Sequence, residues 1–538
     1  MKRLLIIFLA ACAALDVAAR SFESVDGPDR VACYGLARFE VKMDGGPASP
    51  WLQEEAALDM LLVSPSGREI VLPCFWVERT HFQARFTPQE KGRYSWRFRY
   101  REGDGTEVFS DSRTLRATAP QGHGMLHCNG MWTLRHDDGT LYRGVGENIC
   151  WESRASDDSK FFKELHQQAD KYNYDVMLRD FAAAGGNFCR MWMCSWNFPI
   201  DRHSNFNNRR YTPSNEYYNP SAVKRLDDVV ALAEGLDVKI MLCMGPGDVP
   251  TGRDFFVDDA AKARYRNRLR YIVARWGYSP AIAMWEFFNE IDNIQFRDQK
   301  NPIPAEDIVA WHAEMARYLK QIDPYGHIVT TSISHRDLKG LNDIPDIDIN
   351  QKHIYCATKS IPANIAKYEK VHGKPYVIGE FGYEWDWSKN FDDFAGDMDI
   401  DFKRGLWYGL FSPTPVTPMS WWWEYFENRG LVPYFRAVRK VSDDMLAAGR
   451  GSFETVEVSA PGAEAYAVRC GKIVYIYAYN PTGKDIDAIS LKLSGTRRVR
   501  QLDFGSAAFG RKFKVRSDGT LVIPAGLAPR GEVLFEIK

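Results

Sequence analysis

Between about residues 125 and 449, eight short apolar runs alternate with helix-like stretches, and no other feature of this 538-residue chain narrows its fold as far. The runs are LYRGVGEN (141–148), NFCRMWM (187–193), VKIMLCM (238–244), AIAMWEFF (281–288), HIVTTSIS (327–334), DINQKHIY (348–355), PYVIGEF (375–381) and PMSWWWEY (418–425). Strands separated by amphipathic helices pair in parallel, because each crossover helix must return the chain to the same edge of the sheet. Eight such units are the number that closes a (β/α)8 TIM barrel. NPSAVKRLDDVVALAEG (219–235) typifies the connections: Asn219 can cap a helix, and Pro220 suits its first position, where a missing N–H costs nothing.

The flanks read differently. RFEVKM, MLLVSP, EIVLPCFWV, FQARFTP and RYSWRFRYR alternate polar with apolar residues and are broken by turn signals about every ten residues, the pattern of an all-β sandwich. ATAPQGHG (117–124) reads as a linker, and beyond residue 449 strands return as TVEVSA, AYAVRC, KIVYIYAYN, RVRQLDF, TLVIPA and EVLFEIK. The expected architecture is therefore α/β: an N-terminal β-sandwich (20–118), a (β/α)8 barrel (119–449) and a C-terminal β-sandwich (450–538). Phe86-Thr87-Pro88 followed by Gly92-Arg93-Tyr94-Ser95-Trp96 resembles the end of an immunoglobulin-like domain of the kind found ahead of glycosidase barrels. Residues 1–19 have two cations, an apolar stretch and small residues ending Val17-Ala18-Ala19, which predicts a cleaved signal peptide and export. Leu9-Ala10-Ala11-Cys12 offers an alternative, a lipoprotein box that would anchor the chain to the cell envelope through Cys12.

Lys and Arg total 69 against 70 Asp and Glu, and without a run of like charges a nucleic-acid or acidic-membrane partner is not expected. No later segment approaches the ~20 apolar residues that span a bilayer. Past the leader the cysteines are irregularly spaced and several sit in apolar runs, so they read as buried thiols, not as a disulfide framework. Neither CxxC nor HExxH occurs, and no metal or other cofactor is expected. Aromatic residues make up 13% of the chain, including 16 Trp, and flat rings suit the apolar faces of sugars.

Ligands of a (β/α)8 barrel bind where its strands end, so polar residues at those ends are candidates by position. Glu290 follows the fourth run and Glu380 closes the seventh, each after residues that would otherwise be core. Two carboxylates across a barrel mouth are what glycosidic bond cleavage needs, one protonated to assist the leaving oxygen and one ionised to attack or stabilise the sugar cation.

WEFFNE with Glu290, VIGEFG with Glu380, Arg190 in GGNFCRMW, His353 and Tyr355 in QKHIY, and the triple Trp421-Trp422-Trp423 together resemble clan A glycoside hydrolases, in particular family five and its cellulase- and mannanase-like members, over roughly residues 125–445. The resemblance implies retaining hydrolysis of β-glycosidic bonds in an oligo- or polysaccharide, with Glu290 as acid/base and Glu380 as nucleophile. It further implies that Asn289 hydrogen-bonds the sugar 2-hydroxyl, that Arg190 and Tyr355 reach Glu380, that His353 serves the cleavage subsite, and that Trp423 with Trp421 forms the floor under the sugar. The segment Met244-Gly245-Pro246-Gly247-Asp248 departs from the family, which often places a His there; Asp248 or the long loop 195–220 would then supply the contacts.

Several residues carry a plainer reading. Glu286, deeper than Glu290 on the same strand face, fits a barrel-interior carboxylate paired with Arg190, and Trp422 should point away from its neighbours to pack under a helix. His353 could be a satisfied core histidine, and Glu147, Glu152 and Glu424 are expected at the rim, open to substrate or solvent. Two other functions fit the same residues: a non-catalytic carbohydrate-binding protein on this scaffold, and a transglycosylase.

Overall fold

The computed structural model describes residues 20–538; the expected leader and Cys12 lie outside the described residues. Among them, no helix is long and apolar enough to cross a membrane, and the nine cysteines from Cys33 to Cys470 are free thiols.

The N-terminal strands form two sheets face to face. One pairs Phe22–Asp26, Ala37–Met43, His81–Phe86 and Phe75–Glu78; the other is built on Gly92–Glu102, flanked by Ala56–Val63 and Arg113–Thr118. Alternation does the work here: in Ala37–Met43 residues Ala37, Phe39, Val41 and Met43 are buried while Arg38 and Lys42 face out. Phe39 meets Trp96 edge to face at 4.9 Å in the core between the sheets. EIVLPCFWV, which reads as one strand, is two, Glu69–Pro73 in one sheet and Phe75–Glu78 in the other, the chain crossing at Cys74.

The barrel runs through Gly146–Asn148, Phe188–Trp192, Lys239–Cys243, Ile282–Glu286, Ile328–Thr330 with Ser332–Ile333, Asn350–Tyr355 and Tyr376–Gly382, every neighbouring pair parallel. The eighth segment closes the ring by single bridges, Gly144 to Val416 and Phe381 to Ser420. Pro415 and Pro418 keep it short, since neither has an N–H to donate. The expected strand 418–425 ends at Trp421: Trp422 takes a left-handed φ of +48° and helix Trp423–Asn428 begins. The expected first strand 141–148 is likewise divided. Leu141–Tyr142 instead completes a small antiparallel sheet with Leu126–Asn129 and Thr133–His136. Leu126, Leu134 and Tyr142 of that sheet pack against Phe188, Met241, Met284, Ile328 and Val377, sealing the barrel at the end opposite the strands' C-termini.

Helix Pro220–Leu236 starts as its sequence implies, Asn219 Oδ1 accepting the N–H groups of Ser221 and Ala222. Asp227 on its outer face binds Arg85 of the N-terminal sandwich in a fork (2.8 and 3.0 Å) and also Arg275 (2.6 Å) of helix Asp259–Trp276. The C-terminal sandwich docks through Tyr477, stacked on Trp407 at 5.6 Å. It contains two strands absent from the sequence reading, Ile486–Lys492 and the charged edge strand Ala508–Ser517.

Candidate active site

Glu290 and Glu380 come together at the mouth of the barrel. The fourth strand stops at Glu286, yet Phe287 still donates to Thr330 O (3.0 Å) and Ser332 to Phe288 O (3.1 Å), so the wall continues upward. Glu290 then turns sharply, with φ +47°, a left-handed conformation uncommon for a residue with a side chain. Its N–H donates to Ser332 Oγ at 2.9 Å, which holds the turn. Glu380 sits two-thirds along the seventh strand, on the opposite wall.

Beneath them lies Arg190, fully buried on the second strand. It forks onto Glu286 through Nε (2.6 Å) and Nη2 (2.8 Å), reaches Glu380 Oε1 through Nη1 (2.7 Å), and donates to Asn289 Oδ1 (2.9 Å). Arg190 therefore both neutralises the interior carboxylate and binds Glu380. Gln351 Nε2 supplies a further donor to Glu286 (2.9 Å), and its passage requires glycine at 379, where a Cβ would lie 2.1 Å from Gln351 Oε1. Tyr355 Oη donates to Glu380 Oε2 (2.6 Å), burial keeping that phenol protonated well above its usual range.

His353 Nδ1 lies 2.9 Å from Glu290 Oε1 and 3.3 Å from Glu380 Oε2, joining the two acids. One polar atom from each of the three falls within 4.8 Å of the others. Carboxyl groups ~5–5.5 Å apart suit direct attack on a sugar carbon, whereas ~6.5–9.5 Å leaves room for a water. Three atoms so close could meet a metal ion, but Arg190 already donates to Glu380, and Asn293 Nδ2 (2.7 Å) donates to Glu290, a donor set built for carboxylates. Burial pushes the Glu380 carboxyl above the ordinary range, outweighing the pull of His353 and Arg190. Glu290 is also penalised by burial, but its hydrogen bond with His353 holds it below that range.

The acids open into a cleft of about 690 Å³ that gathers Asn289, Glu290, His353, Tyr355, Glu380 and Trp421 from the expected set. Trp192 and Trp385, which the sequence reading passed over, also line it. A signal for Trp192 was present, since it stands two residues after Arg190 and shares its strand face. Trp423 is a correction: only 3% exposed, it lies behind the cleft, its ring 4.8 Å from Trp151, because the helix that begins there turns it inward. Trp422 is buried too, its Nε1 donating to Glu384 O (2.7 Å). The rim expected of Glu147, Glu152 and Glu424 is not found, all three being buried. Glu152 is paired with Arg225 and caps Tyr174 N–H (2.9 Å), Glu424 enters the first turn of Trp423–Asn428, and burial drives Glu147 far above the ordinary carboxylate range. Asp248 binds Arg202 (2.8 Å), and with Asp201, Tyr217 and Tyr218 of the long loop it lines a separate cavity of about 400 Å³.

This fold and the paired acids define a TIM-barrel protein of the glycoside hydrolase type. Residues 154–397, which lie within the barrel, match the family model "Cellulase (glycosyl hydrolase family 5)". The chain is 24% identical over 217 residues to mannan endo-1,4-beta-mannosidase F of Aspergillus clavatus, covering 33% of this chain and 46% of that protein. It is 24% identical over 304 residues to mannan endo-1,4-beta-mannosidase 8 of Oryza sativa subsp. japonica, covering 45% and 76%. A candidate glycoside hydrolase from Bacteroides vulgatus has the same fold over 95% of this chain and 100% of its own, with a TM-score of 0.63 at 16% identity.

Proposed function

We propose that the barrel hydrolyses β-glycosidic bonds of a polysaccharide with retention, Glu380 attacking the anomeric carbon while Glu290 protonates the departing oxygen. The glycosyl ester on Glu380 is then released by water, which gives its proton to Glu290. The observation that carries this reading is the close approach of the two acids, with Arg190 and Tyr355 both donating to Glu380. Asn289 spends its carbonyl oxygen on Arg190, which leaves its amide to donate to a sugar hydroxyl. Trp421 and Trp192 supply apolar surface for the ring.

Chemistry needs the proton on Glu290 at the start, the reverse of the order that burial and His353 set in the free protein. The side chain of Glu290 is 19% exposed against 5% for Glu380, so a sugar entering the cleft desolvates Glu290 more and raises its affinity for the proton the pair shares. Glu380 keeps its two donors throughout. The substrate to test first is a β-1,4-mannan, on which the named relatives act.

Aryl β-mannoside and β-glucoside hydrolysis by the wild type, Glu290→Ala and Glu380→Ala checks the assignment. Glu380→Ala should lose at least ~10³-fold in kcat/KM. Azide should rescue Glu290→Ala, giving a glycosyl azide of retained configuration. Equal rates in all three proteins would leave a carbohydrate-binding protein; transfer to an added acceptor sugar in place of water would make it a transglycosylase.

A further inference from the structure

The loop after the seventh barrel strand, Tyr383 to Asn390, holds large aromatic rings in water. Trp385 is 62% exposed and Trp387 42%, and among the described residues they are the tryptophans that stand with the exposed large hydrophobic side chains. Such a patch costs solubility and usually marks a binding surface.

The loop is braced and cannot readily fold its rings away. The Glu384 carboxylate accepts the N–H groups of Trp385 (3.0 Å) and Asp386 (3.1 Å) and the Lys389 ammonium (2.5 Å), while its backbone carbonyl accepts from Trp422 Nε1 (2.7 Å). Trp422 is buried against Phe391, ring centroids 4.6 Å apart, which ties the loop to the core. Asp386 Oδ1 closes the tip by accepting from Ser388 N–H (3.0 Å) and Oγ (2.6 Å). Lys389 and Glu384 neutralise each other, so the loop has little to offer a polyanion. Trp385 lines the same cleft as Glu380 and Trp421, and Trp387 stands two residues further along the loop.

We propose that Trp385 and Trp387 form a stacking platform for a neutral β-linked polysaccharide where it leaves the cleft. The proposal rests on the glycoside hydrolase reading. β-Linked pyranoses present flat apolar faces in series, and rings already fixed in place lose little freedom when a chain settles on them.

Native gel electrophoresis through soluble galactomannan and through glucomannan tests it, with wild type, Trp387→Ala, Trp387→Phe, Trp385→Ala and Glu384→Ala. The wild type should be retarded, and each Trp→Ala change should weaken binding roughly tenfold, an indole stack being worth about one decade. Trp387→Phe should retain most of the retardation, and Glu384→Ala should lose part of it by releasing the loop. Unchanged melting temperatures of the Trp variants establish that the fold is intact. Equal retardation of wild type and Trp387→Ala overturns the platform. A wild type that passes both gels unretarded yet cleaves aryl glycosides also overturns it, while leaving the assignment of Glu290 and Glu380 standing. Retardation lost in the Trp variants of a wild type that cleaves no aryl glycoside supports the platform and removes the enzymatic reading instead.

Discussion

The proposed mechanism turns on His353, because its Nδ1 stands between the two acids. It holds Glu290 below the ordinary carboxylate range and pulls downward on Glu380 as well. In the proposed mechanism, which takes Glu290 protonated and Glu380 ionised, the two limbs of kcat/KM are macroscopic ionisations that belong to the coupled pair of acids. Removing the imidazole lets both hold their protons to higher pH. His353→Ala is therefore expected to shift the whole bell alkaline, read from pH profiles on an aryl glycoside. A bell that stays in place or moves acid would refute the bridging role. Residue type and place on a strand pointed to His353, but its Nδ1 contact with acids 63 residues before it and 27 after it (353 − 290; 380 − 353) exists only once three strands meet.

At the scale of elements, the short eighth segment and the helix after it separate two tryptophans that strand alternation would put on one face. Trp421 lines the cleft and Trp423 is core. Trp423→Ala should accordingly destabilise the fold by about 3–5 kcal/mol in denaturant titrations, the cost of emptying a buried indole site. Trp421→Ala should leave stability nearly unchanged and raise KM on an oligosaccharide. Matching stability losses in the two variants would contradict the division. The error in the sequence expectation has a clear source: alternation holds only while the backbone stays extended, and φ +48° at Trp422 ends it.

Over the whole molecule, the flanking sandwich is clamped to the barrel by ion pairs as well as by packing. Arg85 and Arg275 converge on Asp227, and Arg270 and Arg99 on Asp59. Asp227→Ala leaves two arginines without their partner at a largely buried junction and should cost about 3 kcal/mol or more, measured by calorimetry. Hydrolysis of small aryl glycosides should persist, since the change lies outside the cleft. A melting temperature equal to wild type would show the junction to be carried by apolar contact alone.

What the chain determines locally, it announces: eight strand-and-helix units, the Asn219 cap, the inward and outward sides of the sandwich strands, and an acid just past strand four and another late in strand seven. These rest on repeats of 2 and 3.6 residues and on side-chain chemistry within a turn. The charged edge strand Ala508–Ser517 escaped because an edge exposes both faces and loses that repeat. Only the tertiary structure decided that Glu147, Glu152 and Glu424 are buried, that Arg190 serves two acids at once, and that Glu384 braces a loop bearing exposed tryptophans. Burial and pairing depend on groups brought together from distant positions in the chain, and no local pattern encodes which partner arrives.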